Sequence, residues 1–583
     1  MKQSIKRKSK VTIIFFLLAL AFIAFIFRAL YISLGTDDTL PSLRSKQINR
    51  AVRGDIVSKN KFTLSTSKKL YMAEIDTRNL NPDEKDVFIK LFNIYTGIKK
   101  AQIRKTIESH KGYVRFSYAI NEKDAKHLKM LATKLLKRGV FIEYIDIERG
   151  KRFLHGLNVV DSEEYREFIY KDTLTPVIGY MRKIEKDSMI KVKAVKGLEY
   201  FYREKLSPIQ DSIISGQRDV GSNIIYNKDA IIKHRLDGYR LNLSVDLRLQ
   251  QAIETLLDRY KKIFGAKEII ASVMDSRSGA ILSLATSNRF NPNAIKNIAF
   301  LNVSAVEYTF EPGSVMKPIT YAIALREKKV KPNTIFNTQN GKLKIGKRVI
   351  TDAHKFKKWM SAKNAIVHSS NVVLAQMVQK LDSFEFYQGL RDFGFSSSSG
   401  IDLPYEHIGE MPSLSRFGTK IYKATLSYGY SIKVNFIQLL RAYSVFNNGG
   451  YLVTPYLTKY LTSPTNKIVY PRRKKDIKII STKIANSVKE ALIKTVEKGT
   501  GIDTKTFDIE VGGKTGTAHI ANKKVYKDRY NSSFIGFAND KKRKYTIGVT
   551  VIEPKGKYFA SQTAVPVFKS VIDLMIYNGY LKQ

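Results

Sequence analysis

The sequence predicts a multidomain α/β protein of the α+β type, in which helices cover an antiparallel sheet. The first observation is length, since 583 residues exceed one ordinary domain. The second is a pair of hairpins: "IIASVMD" and "AILSLA" flank "SRSG", and "SSFIGFA" and "YTIGVTVIE" flank "NDKKRK". The third is the helical spacing of stretches between them, such as "VNFIQLLRAYSVFNN". We therefore expect strands from both ends of this region to meet in one sheet.

The amino terminus has the pattern of a membrane anchor. Five basic residues in "MKQSIKRKSK" precede 17 uncharged positions, Val11 to Phe27. That run forms a helix of about 25 Å, and "ALYISL" extends it enough to cross a bilayer core of about 30 Å. A cleaved signal peptide needs small residues after the apolar run, and "FRALYISLG" offers bulky ones. We expect residues 1–10 in the cytoplasm, 11–34 across the inner (cytoplasmic) membrane, and the rest on the periplasmic side.

Two further regions follow the anchor. Over residues 35–238 the chain mixes strands such as "YMAEID" and "VRFSYAI" with the amphipathic helix "NEKDAKHLKMLATKLLKRG". No cluster there proposes chemistry, so this region is expected to be a non-catalytic scaffold. At "YRLNLSVDLRLQQAIETLL" a strand and an amphipathic helix open a new domain, expected over residues 239–583.

Composition narrows the function classes. The chain has no cysteine, which excludes disulfides, thiolate nucleophiles and zinc–thiolate sites. The net charge of +48 suggests anionic surroundings, either a lipid face or an acidic polymer, or simply a lysine-coated surface. Zinc-finger spacing, basic zippers and aromatic–basic RNA signatures are absent from the sequence, so no nucleic-acid partner is expected. No metal site or cofactor is predicted.

One Ser-x-x-Lys pair has a context suited to catalysis. In "YTFEPGSVMKPIT", Ser314 opens a predicted helix and Lys317 shares its face. A lysine deprotonates a serine only when neutral, which requires desolvation or a nearby cation. Three other copies of the pattern occur, at Ser58/Lys61, Ser65/Lys68 and Ser188/Lys191.

Two further motifs supply the missing partners. "VGGKTGTAHI" provides a second lysine, Lys514, on a predicted strand, and "VHSSNVVLAQ" provides a hydroxyl and an amide, Ser369 and Asn371, at a helix start. Gly516 inside the strand indicates that something approaches the backbone closely, as a peptide pairing with a sheet edge would.

In this order, 55 and then 145 residues apart, the three motifs resemble the S-x-x-K, S-x-N and K-T-G marks of penicillin-binding proteins and their β-lactamase relatives. None of the other Ser-x-x-Lys copies has an S-x-N following at a comparable interval. "EPGSVMKP", "FGFSSSSGIDLP", "EKGTG" and, upstream, "KGLEYFYREKL" resemble landmarks of class B high-molecular-mass penicillin-binding proteins. "EPGS" with "SSN" and "SYGY" resembles the septal, cell-division branch.

The sequence departs from this family at three places. After "RGDI" the family usually reads Asp-Arg-Asn-Gly and this chain reads "VSKNK". Ser431 stands where glycine is common, and "KVN" replaces Val-Thr-Pro. The first departure leaves open which contacts of the family's non-catalytic pedestal domain are kept.

The resemblance implies a five-stranded antiparallel sheet of the β-lactamase/transpeptidase type, and two-step acyl transfer. Ser314 would attack a D-alanyl-D-alanine stem peptide, and Lys317 would take its proton. An oxyanion would lie between backbone N–H groups of Ser314 and Thr517. The resemblance implies that Ser369 relays a proton to the departing D-alanine and that Asn371 holds the donor's amide. It also implies that Lys514 supplies a positive field. The terminal carboxylate would bind along Thr515, Gly516 and Thr517.

The implied function is the crosslinking of peptidoglycan during septal wall synthesis, with β-lactams acylating the same serine. Implied partners are stem peptides, lipid-linked precursor, the membrane, a membrane glycosyltransferase of the shape, elongation, division and sporulation group, and other division proteins. An elongation-type transpeptidase, a D,D-carboxypeptidase, a β-lactam sensor and a non-catalytic division scaffold remain alternatives. A class A β-lactamase would need a Glu-x-x-Leu-Asn element, which the sequence lacks.

Overall fold

The computed structural model describes residues 2–34, 44–146, 151–186, 189–219, 224–504, 506, 508–522 and 525–582. The chain divides into two compact units. The first unit comprises Met1–Arg50 and Asp211–Arg235, and the second comprises Ala51–Gln210 and Leu236–Gln583.

The helices of the described chain are, in order, α1 Lys2–Leu34, α2 Lys85–Thr96, α3 Lys100–Glu108, α4 Glu122–Lys137, α5 Gly197–Phe201, α6 Arg203–Leu206, α7 Leu247–Phe264, α8 Ser304–Glu307, α9 Lys317–Arg326, α10 Ala362–Val367, α11 Asn371–Gln379, α12 Ser383–Asp392, α13 Leu414–Phe417, α14 Lys420–Ser427, α15 Phe436–Asn447, α16 Thr482–Lys498 and α17 Ala564–Tyr577.

The strands are β1 Arg44–Asn49, β2 Ile56–Val57, β3 Thr63–Asp76, β4 Tyr113–Ile120, β5 Tyr144–Asp146, β6 Lys151–Phe153, β7 Asn158–Phe168, β8 Met181–Lys186, β9 Met189–Ala194, β10 Ser212–Gln217, β11 Ile231–Lys233, β12 Arg240–Leu243, β13 Glu268–Asp275, β14 Ile281–Thr286, β15 Thr309–Phe310, β16 Ile335–Asn337, β17 Lys342–Ile345, β18 Arg348–Thr351, β19 Trp359–Ser361, β20 Val434–Asn435, β21 Tyr451–Leu452, β22 Thr458–Thr462, β23 Ile468–Val469, β24 Ile477–Lys478, β25 Glu510–Asn522, β26 Val525–Asn539 and β27 Lys544–Ile552.

The first unit contains α1 and a three-stranded sheet in the order β1-β10-β11. Within α1, the segment Val11–Tyr31 is long and apolar enough to cross a membrane. Both strand pairs of the sheet are antiparallel.

In the second unit, five antiparallel strands form a sheet in the order β14-β13-β27-β26-β25. Both predicted hairpins are present, and strands from the two ends of the region pair through β13 and β27, which confirms the predicted architecture. Alternate residues of β27 face opposite layers. Val549 and the residues that alternate with it along β27 pack in the core with α7 and α17. Gly548 faces the opposite layer, where a Cβ on it would lie 2.9 Å from the ring of Phe436 in α15.

Local signals fix the ends of α7, the helix that covers one face of this sheet. The side chain of Asp246 accepts hydrogen bonds from the backbone N–H groups of Arg248 and Leu249, which caps the first turn. Gly265 ends the helix in the left-handed conformation, with φ +53°. The predicted amphipathic helix therefore runs from Leu247 to Phe264.

A second sheet of the same unit follows the order β23-β22-β12-β2-β3-β4, with β7 also pairing with β3. The predicted strand in "YRLNLSV" is β12, which pairs with β2 in parallel and with β22 antiparallel. Strands from before and after residue 238 therefore share this sheet.

A buried ion cluster joins the upstream landmark "KGLEYFYREKL" to the "RGDI" stretch. Glu199 of "KGLEY" contacts Arg53 of "RGDI" and Arg166, each at 2.7 Å. Burial alone would raise the pKa of Glu199, but the two guanidinium groups hold this pKa below its usual value. Tyr202, three residues further on, donates to Asp402 at 3.1 Å. These contacts connect the upstream region to the sequence that follows residue 238.

The stretch "VSKNK" also contacts the sequence that follows residue 238. The side-chain amide of Asn60 donates to Asp246 at 3.2 Å, and its oxygen accepts from the backbone N–H of Leu247 at 3.3 Å. The turn therefore binds the amino terminus of α7.

Candidate active site

Ser314 lies in a 3-10 turn, Gly313–Met316, that leads directly into α9. The serine is half-buried, whereas its neighbours on both sides are buried. Two contacts fix the turn from behind: the N–H of Gly313 donates to the carbonyl of Gly429 at 3.0 Å, and the hydroxyl of Tyr443 donates to the carbonyl of Val315 at 2.7 Å. The turn is therefore held rigidly at the start of a buried helix.

Lys317, one turn after Ser314, is fully buried. Its Nζ donates to the carbonyl of Ser369 at 2.5 Å and to the Ser369 Oγ at 3.0 Å. Burial lowers its pKa well below the usual range, and the charge of Lys514 lowers it further, while Asp352 acts in the opposite sense. Either desolvation or a nearby cation would suffice to make a lysine available as a base, and Lys317 has both.

Ser369 adopts the left-handed conformation, with φ +59°, between α10 and α11. The next residue, Ser370, caps α11 by accepting from the N–H of Val373 at 3.1 Å. The two adjacent serines therefore have different roles. Ser370 completes the helix end, and Ser369 contacts the lysine.

Asp352, which the sequence analysis did not identify, holds the start of α11. One carboxylate oxygen accepts from the backbone N–H groups of Asn371 at 2.5 Å and Val372 at 3.0 Å. The other oxygen accepts from the Ser370 hydroxyl at 2.8 Å. The side-chain amide of Asn371 donates to the carbonyl of Thr351 at 2.8 Å. The hairpin formed by β17 and β18 thus positions the Ser-x-Asn motif.

Lys514 is fully buried on β25, where its Nζ donates to the carbonyl of Thr515 at 3.2 Å and to its hydroxyl at 3.3 Å. Burial lowers the pKa of Lys514 to about 7. The Thr515 hydroxyl also shares a 2.7 Å hydrogen bond with the hydroxyl of Thr500. Thr500 is a second residue that the sequence analysis did not assign, although the "EKGTG" landmark contains it.

The glycine of the Lys-Thr-Gly motif has a specific neighbour. A Cβ at Gly516 would lie 2.8 Å from the carbonyl oxygen of Pro312 and 2.9 Å from the Val315 side chain. The segment that closes on this glycine is therefore the turn that carries Ser314. β25 is the edge strand of its sheet, so a peptide could still pair with it from outside. Beyond the glycine, the Thr517 hydroxyl accepts from the N–H of Ala560 at 3.0 Å.

The structure thus brings the three motifs into one site. Lys317 contacts Ser369 directly, Lys514 acts on Lys317 electrostatically, and Gly516 packs against the Ser314 turn. The serines of two other Ser-x-x-Lys copies are buried elsewhere: Ser58 donates to Asn60 and Ser65 to Glu199.

Ser188 of the remaining copy lies outside the described residues. Within the described part of the chain, no group of three or more His, Cys, Asp or Glu side chains is arranged to hold a metal ion.

Comparison with known proteins agrees with this geometry. Residues 269–573 match the penicillin-binding protein transpeptidase domain, and residues 48–243 match the penicillin-binding protein dimerisation domain. A probable peptidoglycan D,D-transpeptidase, PenA of Neisseria flavescens, is 30% identical over 381 residues, which cover 64% of this chain and 88% of that protein. Stage V sporulation protein D of Bacillus subtilis is 26% identical over 543 residues, covering 89% of this chain and 77% of its own.

Solved structures share the fold. Penicillin-binding protein 2X of Streptococcus thermophilus superposes with a TM-score of 0.73 at 20% identity, covering 91% of this chain and 80% of that one. The transpeptidase-domain match spans more than half of the chain and includes every residue of the Ser314 site. The chain therefore belongs to the penicillin-binding protein transpeptidase family, as a class B member with a dimerisation domain ahead of a serine-type transpeptidase domain.

Proposed function

We propose that this protein is a peptidoglycan D,D-transpeptidase that crosslinks stem peptides through an acyl-enzyme on Ser314. The observation that carries the proposal is the buried amine of Lys317, bonded to Ser369 and lowered in pKa beside Lys514. Such an amine is available as a base near neutral pH, which an exposed lysine is not. Family membership and the names of the relatives support the reaction class.

In the acylation step, neutral Lys317 takes the proton of the Ser314 hydroxyl as its oxygen attacks the penultimate D-alanine carbonyl. The negative oxygen that forms accepts from the backbone N–H groups of Ser314 and Thr517. The carbon–nitrogen bond then breaks, and Ser369 passes the proton from Lys317 to the departing D-alanine. In the second step an acceptor amine attacks the ester carbonyl and the bond between that carbon and the Ser314 oxygen breaks. The proton lost by the amine passes through Ser369 and Lys317 to the Ser314 oxygen, so the crosslinking amide forms and the serine hydroxyl is restored.

The other motif residues bind the donor peptide in this proposal. Thr515 and Thr517 bind its terminal carboxylate, and Lys514 in its charged form attracts that carboxylate. Gly516 allows the strand to lie against the serine turn. Asn371 holds a backbone amide of the donor. The buried position of Lys514 strengthens its field because little water screens it.

We also propose that the enzyme acts in the septum of dividing cells. The "EPGS", "SSN" and "SYGY" stretches support this role, and a relative in Mesostigma viride, 27% identical over 456 residues, is named an FtsI homolog. The proposed layout is a cytoplasmic tail (1–10), a membrane span (11–34), a pedestal (35–238) and the transpeptidase domain (239–583) on the periplasmic side of the inner membrane. Proposed partners are lipid-linked precursor, β-lactams, a membrane glycosyltransferase and other division proteins.

Intact-mass analysis with benzylpenicillin tests the nucleophile. We expect one penicilloyl adduct, located in the peptide that contains Ser314, and its complete loss in Ser314→Ala. Ser65→Ala, which removes the serine of another Ser-x-x-Lys copy, is the matched control and keeps the adduct. An adduct on any other residue, or none on folded wild-type protein, contradicts the proposed nucleophile.

Product analysis tests the reaction and the cellular role. Incubation with lipid-linked precursor and a glycan polymerase is expected to yield crosslinked muropeptide dimers. Trimmed monomers alone would identify a carboxypeptidase, and an acylated protein without either product would favour a sensor. Depletion in the native cell is expected to give filaments if the role is septal, and rounded cells if the role is elongation.

A further inference from the structure

The small sheet of the first unit carries all of its charged side chains on one face. Residues opposite each other in antiparallel strands project to the same side, and successive residues alternate. The register pairs Ile48 with Ile213, and Ile213 with Lys233. One face, here called the basic face, therefore comprises Arg44, Lys46, Ile48, Ile213, Ser215, Gln217, Ile231 and Lys233.

The opposite face, here called the neutral face, has no charged side chain. It comprises Ser45, Gln47, Asn49, Ser212, Ile214, Gly216 and Ile232. A following segment covers one end of it, because a Cβ at Gly216 would lie 3.1 Å from the Ile224 side chain and 3.4 Å from that of Ala230. On the basic face, Ile48 is 47% exposed and Ile231 is 55% exposed.

This combination of residues suits a membrane surface. Isoleucines exposed among lysines and arginines can enter the headgroup region while the basic groups contact lipid phosphates. The strands contribute no acidic residue that would oppose an anionic surface. The positive charge and the exposed isoleucines of the basic face therefore both favour contact with an anionic membrane surface.

Chain continuity supports the same conclusion and rests on the proposed membrane span. β1 begins ten residues after Leu34, the last residue of α1. Ten residues reach at most roughly 35 Å when fully extended. If α1 crosses the membrane, the sheet cannot move far from the bilayer surface.

We propose that the basic face lies on the outer surface of the cytoplasmic membrane and binds anionic phospholipid. Lys46 and Lys233 contact lipid phosphates, and Ile48 and Ile231 enter the headgroup region. The sheet thereby attaches the chain to the membrane surface at a second place, beside the anchor.

The absence of cysteine makes a site-specific test direct. Ile231→Cys and Ile232→Cys place one fluorescent label on adjacent residues of opposite faces, which are 55% and 50% exposed. Full-length protein is reconstituted in nanodiscs that contain phosphatidylglycerol and a headgroup-level nitroxide lipid. We expect quenching at position 231 to be at least threefold greater than at position 232.

Charge variants test the electrostatic part. Replacing Lys46 and Lys233 together by glutamine is expected to reduce quenching at position 231 at least twofold, and uncharged phosphatidylcholine discs are expected to do the same. Equal quenching at both positions overturns the proposal, as does an unchanged signal in the charge variant. Absence of quenching at position 231 also overturns it and favours a protein occupant.

The proposed function is read separately on the same discs. Penicillin acylation of Ser314 reports the active site, and incorporation of the protein into discs reports the anchor. A protein that is acylated and incorporated, but shows no preference for position 231, refutes only the lipid contact.

Discussion

At the scale of single residues, the site depends on two lysines in an environment that disfavours their charge. Lys317 and Lys514 are both fully buried, and burial lowers the pKa of each. A group whose pKa is lower in the folded state than in the unfolded state binds fewer protons when folded. Below the unfolded pKa, such a lysine therefore makes folding less favourable. The chemistry of this site is maintained at the expense of stability.

Lys514→Met is expected to separate stability from function. Methionine has a side chain of similar length that suits an apolar site, and it does not titrate. The free energy of unfolding at pH 7 should therefore rise by about 0.5–2 kcal/mol. The gain should shrink as the pH rises toward the unfolded pKa of lysine, where neither state is charged. Denaturant unfolding at pH 7 and pH 10 measures it. A variant that is less stable than wild type at pH 7 would contradict this account.

The same variant should change the pH dependence of acylation. The rate falls as the pH falls through the pKa of Lys317, because the protonated amine cannot accept the serine proton. Removing the charge of Lys514 raises that pKa, so the acidic limb should move to higher pH and the rate at pH 7 should drop by roughly 10²–10³. Stopped-flow acylation by a chromogenic β-lactam measures the limb. Lys498→Met, on the exposed end of α16, is the control and should leave the limb in place.

At the scale of elements, the contacts that position the motifs are harder to predict than the motifs themselves. Each motif lies in one short stretch, so its residue types and spacing are visible in the sequence. Asp352 and Thr500 reach the site only because the β17–β18 hairpin and the end of α16 fold against α11 and β25. Gly516 was predicted to permit a close approach, but the sequence could not reveal that the serine turn itself makes it.

The backbone conformation at Ser431 is likewise hard to predict from the sequence. Ser431, which stands where the family commonly has glycine, adopts a left-handed φ of +64°. Its N–H donates to Glu311 at 2.8 Å, and the neighbouring Gly429 supports the Ser314 turn. The departure was visible in the sequence, but the tertiary contact that holds the strained serine was not.

Asp352→Ala is expected to loosen the hairpin from α11. The change leaves the N–H groups of Asn371 and Val372 without their acceptor, so the free energy of unfolding should fall by about 1–3 kcal/mol. Acylation should slow by roughly tenfold or more, since Ser369 and Asn371 lose their fixed positions. Asp352→Asn keeps one acceptor oxygen and is expected to restore most of the rate. If alanine and asparagine behave alike, Asp352 does not act by positioning.

At the scale of the whole molecule, the pedestal and transpeptidase regions are joined by buried polar contacts within one compact unit. The carboxylate of Glu254 on α7 accepts from the N–H of Leu174 at 2.8 Å. The Thr175 hydroxyl donates to the carbonyl of Phe290 at 2.9 Å and accepts from its N–H at 3.1 Å. The sequence predicted two domains, but local patterns carry no information about such contacts or about the strands that share the second sheet.

Glu254 makes this junction sensitive to pH. Burial raises its pKa to about 7, although Arg289, Gln250 and the Leu174 N–H oppose the shift. A carboxyl group whose pKa is raised in the folded state binds more protons in the folded than in the unfolded protein between about pH 4.3 and pH 7. Its contribution to stability therefore declines as the pH rises through that range.

Glu254→Gln removes this titration while keeping an oxygen for Leu174. Relative to wild type, the variant should gain stability from pH 5 to pH 8, and the difference should level off above pH 8. Melting temperatures across this range measure the effect, with Glu497→Gln, at the exposed end of α16, as the control. Parallel profiles for wild type and Glu254→Gln would show that the buried carboxyl titrates normally and that the junction owes its pH dependence to other groups.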